Sequence, residues 1–350
     1  MRFRRIATAA LCALALVTVV PPAGILPGAR AAGHTTTIGP TDGYGLKQAM
    51  RVLRPGDTLL LRPGVYDLGG FKPPLALGTA TAPITVAAQD PARPPELRGQ
   101  VVLEDADHWH LSGVRVVATV PRQPALKMAG GRGWRVQGVE VTGAATTVVH
   151  ANLVVDANRY TGTPPTDWSV TDSCIHGAAR RPAGDTAGYH NIYVTTEGGG
   201  SDGVIGRNIL FDAPDGANIK IGTGADARTP GASGISVENN SMYNANQQVL
   251  VFGNVSDIVV RRNLFVRSHG AGVSTAQYFH TIKDDGRVRV TSTDNYSALS
   301  ERTTFALSTA ATSVLDRGNV RGPDPRAVVA CDQFRPSTTA AQAYGWLAGR

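Results

Sequence analysis

Short alternations of apolar and polar residues recur along the chain, each closed by Gly, Asn or Asp. They read WHLSGV from Trp109, WRVQGV from Trp134, WSVTDS from Trp168 and VIGRNI from Val204. The series continues with ISVENNS from Ile235, IVVRRNL from Ile258 and RVTSTDNY from Arg289. Turn residues fall at 113, 138, 172, 208, 240, 263 and 295, at spacings of 23 to 36. A second series reads NLVV from Asn152, NIYV from Asn191, NIKI from Asn218 and QVLV from Gln248, with fainter ends at ALKM (Ala125) and GVST (Gly272). Period-two alternation predicts strands, and Gly, Asn and Asp predict the turns between them. Two series in step along the chain predict stacked coils, a parallel solenoid in which each repeat buries its neighbour's apolar face. The uneven spacing predicts loops that leave the core between coils.

Asn at the turn has a structural reading. A tight corner favours left-handed backbone, which Asn tolerates, and stacked amides can bond along the axis. Asn208, Asn240, Asn263 and Asn295 are therefore expected to be scaffold. Upstream, GLKQAMRVL (Gly45 to Leu53) predicts a short amphipathic helix, suited to capping an open sheet end. After about residue 300 the ladder fades, and residues 321–350 are expected to form a tail or terminal cap.

Composition agrees with an all-β chain: 40 glycines and 22 prolines in 350 residues leave little room for long helices. The first 31 residues read as a secretory signal. Arg2, Arg4 and Arg5 precede an apolar run from Ile6 to Val20; then come Pro21, Pro22 and the small-residue stretch Ala29-Arg30-Ala31. The run falls short of the roughly 20 residues a membrane span needs. The expected mature β-helix domain is 32–320, secreted, with no membrane span and no nucleic-acid partner. Removing Arg2, Arg4, Arg5 and Arg30 lowers the net charge from +7 to +3, too little for a nucleic-acid surface. Cys174 and Cys331 remain; the sequence leaves open whether they pair or stay separate thiols.

The segment GLKQAMRVLRPGDTLLLRPGVYDLGGF, followed by APITVAAQ and PELRG, resembles the opening of the pectate-lyase-like superfamily. Within it the chain looks most like the chondroitinase B and alginate lyase family, over roughly residues 43 to 300. The resemblance implies a single-stranded right-handed parallel β-helix with a capping helix. It implies a lysine base on one coil, an arginine on the next, and calcium held by acidic and amide residues. Lys220 in DGANIKIG matches the lysine. Val251 and Phe252 stand where the arginine belongs.

Alternation about Ile192, Ile219 and Val249 sorts the second series into two expected outward rows. One is Asn152, Asn191, Asn218 and Gln248. The other is Lys127, Val154, Tyr193, Lys220, Leu250 and Ser274. The candidate catalytic residues are Lys220, Tyr193 and His190. The candidate substrate-binding residues are Asn191, Asn218, Gln248, Arg228, Arg267 and His269. Calcium would take oxygens from Asp215, Asn191 and Asn218. The expected activity is β-elimination on a uronic-acid-containing polysaccharide by a monomeric secreted protein. Two alternatives stand beside it: a glycoside hydrolase using Asp212 and Asp215, and a non-catalytic glycan-binding or structural β-helix.

Overall fold

The alternating runs become strands that pair with the next repeat, not with their neighbours in sequence. The structure, a computed structural model, describes residues 33–143, 151–178, 188–196, 198–222, 231–251, 255–268, 273–274, 289–298, 305–306, 313–322 and 331. The expected signal (1–31), the candidates Arg228 and His269, and most of the expected tail lie outside the described residues.

One parallel sheet has 11 strands, one from each successive coil, beginning with Thr35–Ile38, Thr58–Leu61 and Ile84–Ala88 and ending with Arg289–Thr293 and Ser313–Arg317. This is the first wall. A second sheet of 15 strands supplies two more walls. Long strands such as Ile209–Ile221 and Ser241–Val251 run through both, with the register slipping between Ala213 and Ala217. The second wall includes Glu140–Thr142 and Cys174–His176, and the third includes Leu126–Ala129, Ala151–Asp156 and His190–Val194. Inward side chains from all three walls meet in one continuous apolar core, from Leu59 to Val290. Trp134 and Trp168 stack in it, ring centroids 5.2 Å apart. Gly203 on the next coil makes room, since a Cβ there would meet the Trp168 ring at 2.2 Å.

The helix spans Gly43–Arg51, two residues earlier than the sequence suggests, because the Asp42 side chain accepts the Gly45 N–H at 2.8 Å and fixes its start. Leu46 and Met50 face the core.

Both corners flanking the second wall hold buried amide ladders. Between the first and second walls, Asn208, Asn240, Asn263 and Asn295 each donate an Nδ2–H to the Oδ1 of the next, ending on Asn319, at 2.9 Å for the last link and 3.0 Å for the others. Backbone N–H groups of Asn208, Asn240 and Asn263 donate to the same acceptors at 2.9 Å. The ladder residue itself is not the left-handed one. Positive φ belongs to the residue before it: Arg207, Asn239, Arg262 and Asp294. The ladder also runs one coil further than the sequence suggests, through Asn319 in a coil whose strand Ser313–Arg317 pairs with Arg289–Thr293.

Cys174 and Cys331 form a disulfide closing a loop of 157 residues. It lies on the outer side of the second wall, where Ile209, Phe211, Leu264, Val266 and Tyr296 make a separate apolar cluster, against which Cys331 packs. The bond uses both sulfurs that, with His176, would otherwise form a soft-metal cluster. Among the described residues no helix is long and apolar enough to cross a membrane.

Candidate functional site

The third wall carries the candidate residues. Leu126, Leu153, Ile192, Ile219 and Val249 point into the core. The residues that follow them share one outward column: Lys127, Val154, Tyr193, Lys220 and Leu250, each in register with the next, and the backbone of Ser274 continues the register. Tyr193 and Lys220 are therefore neighbours on adjacent coils. The Lys220 ammonium lies over the Tyr193 ring, 4.3 Å from its centroid. Burial lowers the Lys220 pKa from 10.5 to about 8, because a desolvated ammonium is disfavoured against the neutral amine. A lysine in this state is a general base near neutral pH.

The row of amides is not outward. Asn152, Asn191, Asn218 and Gln248 do fall on consecutive coils, yet all four are fully buried. They occupy the corner between the second and third walls, where strand alternation gives way to a bend. Asn152 donates to Asn191 at 3.0 Å, Asn191 to Asn218 at 2.7 Å and Asn218 to Gln248 at 2.6 Å. Their second donors satisfy the carbonyls of His176, Phe211, Tyr243 and Val266. Asn191, Asn218 and Gln248 are scaffold, not substrate-binding groups. The calcium set fails for the same reason: the side-chain oxygens of Asn191 and Asn218 accept from neighbouring amides inside the wall, which leaves only Asp215 of the three.

His190 is also turned inward, 4 % exposed. Its Nδ1 accepts the Ala217 N–H at 2.8 Å, which leaves the ring proton on Nε2. The close approach depends on Gly216, where a Cβ would meet the Tyr189 carbonyl oxygen at 1.9 Å. His190 ties the irregular segment before Lys220 to the previous coil, and its ring lies 5.7 Å from that of Tyr193. It is a positioning residue, not one that faces substrate. Asp215 lies with Asp212 in the same strand, Ile209–Ile221, and Asp212 accepts from Asn244 at 2.6 Å. The backbone of Arg267 lies in strand Leu264–Ser268, and its side chain lies outside the described residues.

The register partner of Lys220 on the next coil is Leu250, 4 % exposed. Among the described residues no arginine stands beside the lysine there. Described cations of this face lie toward the other end of the column. Lys127 is paired with Asp156 at 2.7 Å, and with Arg122, Tyr193 and Thr195 it lines a hollow of about 440 Å³. Sequence reasoning placed Lys127 in the column but not in the site. It missed Asp156 and Arg122, because nothing in a single repeat marks which side chains a groove will gather.

No family model matches the chain, and no curated protein does. Its fold is similar to solved structures. An alginate lyase from Paenibacillus sp. str. FPU-7 superposes with a TM-score of 0.52 at 17 % identity, covering 79 % of this chain and 99 % of that one. Alginate lyase AlyF-OU02 in complex with G6 gives 0.51 at 16 % identity, covering 81 % of this chain and 64 % of that one. At such identities the likeness shows the fold alone, a stack of parallel-strand coils, and nothing about activity.

Proposed function

We propose that the chain is a secreted polysaccharide lyase that cleaves a uronic-acid-containing glycan by β-elimination. The coil is read as right-handed, as nearly all parallel crossovers within a sheet are, and residues 1–31 as the export signal of a protein that acts as a monomer. The observation that carries the reading is Lys220: a lysine lowered to a pKa of about 8, on an outward strand position, in contact with a tyrosine ring.

Neutral Lys220 takes the C5 proton of a uronate. The electron pair left on C5 forms the C4=C5 bond, the C4–O bond breaks, and the departing oxygen takes a proton. Tyr193, on the adjacent coil, supplies it. The uronate carboxylate must be neutralised for its α-proton to become acidic. Leu250 stands in register with Lys220, and Lys127 and Arg122, lining the adjoining hollow, meet the carboxylates of sugars further along the chain.

The test is purified mature protein mixed with alginate, pectate or chondroitin sulfate, followed by the ultraviolet absorbance of the new C4=C5 bond. Absorbance that grows with time supports a lyase. New reducing ends without absorbance would make the protein a hydrolase. Binding without either product would make it a non-catalytic glycan-binding β-helix.

A further inference from the structure

The groove does not end at Lys127. The pairing of Phe71 with Val101 and of Val101 with Leu126 sets the next residues, Lys72, Val102 and Lys127, in the same outward column as Tyr193 and Lys220. A second hollow of about 440 Å³ opens over this end of the column. It shares Gln123 and Lys127 with the hollow beside Tyr193, so the two form one trough along the coil axis.

At the far end stands Tyr160, 65 % exposed. Lys72 lies 4.6 Å from its ring centroid, and the Arg159 guanidinium lies at 4.6 Å from the same point. Arg159 also donates to the Tyr160 hydroxyl. Lys72 is paired with Glu104 at 2.6 Å, and an ammonium has three donors, so the pair uses one. Tyr160 is thus a large exposed aromatic in contact with two cations. It is suited to a sugar ring that bears an anionic group: the ring lies on the tyrosine, and the anion meets Lys72 and Arg159.

We propose that Tyr160, Lys72 and Arg159 form a distal subsite for an acidic sugar, and that a polyuronate lies parallel to the coil axis from this clamp, past Lys127, to Lys220. This deepens the lyase reading and rests on it for the position of the cut. Five coil steps separate Lys72 from Lys220. At about 4.8 Å per step this is roughly 24 Å. The coil rise is comparable to the length of one 1,4-linked sugar, so successive sugars can follow successive coils. The chemical class recognised is a polyanionic chain of several sugars, not a terminal mono- or disaccharide.

The experiment measures binding, not turnover, and uses the Lys220→Ala protein so that ligand survives. Trimers and hexamers of alginate and of polygalacturonate are titrated calorimetrically. The hexamer of at least one of the two glycans is expected to bind about tenfold tighter than its trimer or better, roughly 1.4 kcal/mol. Tyr160→Ala with Lys72→Ala is expected to bring the hexamer-to-trimer ratio toward one. Tyr160→Trp, which keeps a platform, is expected to preserve it. A carboxyl-reduced hexamer is expected to lose the advantage. Circular dichroism and Tm of each variant exclude misfolding. Equal affinity for both lengths in the parent, or an unchanged ratio in the double variant, overturns the subsite. Failure of the lyase reading is separate: it shows as absent unsaturated product while the length-dependent binding and its loss persist.

Discussion

Lys127 and Lys220 stand in the same outward column of the same wall, three coils apart, and their surroundings differ. Lys127 has the Asp156 carboxylate at 2.7 Å. Lys220 has an aromatic ring at 4.3 Å on one side and Leu250 on the other. The first environment pairs the ammonium with a carboxylate. The second strips water from it and brings its pKa down to about 8. One position in a repeat thus holds a carboxylate-paired ammonium on one coil and a desolvated lysine on another, and the difference lies in the neighbours along the column.

The sharpest way to break this contrast is to remove each lysine. Lys220→Ala is expected to lower kcat/KM by about a thousandfold, within the usual range for a lost general base. Lys127→Ala should act mainly through KM. Equal losses from the two variants would erase the distinction. Next in size is the scaffold beneath Lys220. Asn218→Ala breaks the buried ladder two residues away and strands one donor of Asn191 and the acceptors on Gln248 and the Tyr243 carbonyl. A loss of about 2–4 kcal/mol in urea unfolding is expected, since each orphaned buried group costs about 1–3 kcal/mol.

A third variant gives Lys220 what Lys127 has. Leu250→Glu sets a carboxylate in register with it. The carboxylate favours the ammonium, so the pKa should rise by about one unit or more, and activity at neutral pH should fall about tenfold. An unchanged pH profile would remove Lys220 as its source. The same shift appears in stability. The folded lysine has the lower pKa, so the unfolded chain binds more protons between about 8 and 10.5. Stability should therefore rise with pH across that window in the parent and lose that contribution in Lys220→Met, read from unfolding midpoints. Smallest is Asp156→Asn, which removes the partner of Lys127. Affinity for an acidic glycan should increase by about threefold, an effect weakened by salt.

The column itself was legible in the sequence. Alternation about Ile192 and Ile219 places Tyr193 beside Lys220, and the registers agree. Alternation fails at the corners. Asn191 and Asn218 obey the period-two rule for an outward position, yet the backbone bends there and turns their amides into the core to satisfy carbonyls of the preceding wall. The left-handed residue was displaced by one for a related reason: the corner needs two residues, Arg207 to turn the chain and Asn208 to fill the space behind it. Groove residues were the least legible. Tyr160 and Arg159 come from a connection after strand Ala151–Asp156, where no periodicity applies, and only the fold brings them over Lys72.

The most direct test is the pH dependence of kcat/KM for formation of the C4=C5 bond. For the parent it should climb with pH through an apparent pKa of about 8 and then level, and residual activity in Lys220→Ala should lack that limb. A limb that stays at the same pH in Lys220→Ala would show that another group takes the proton.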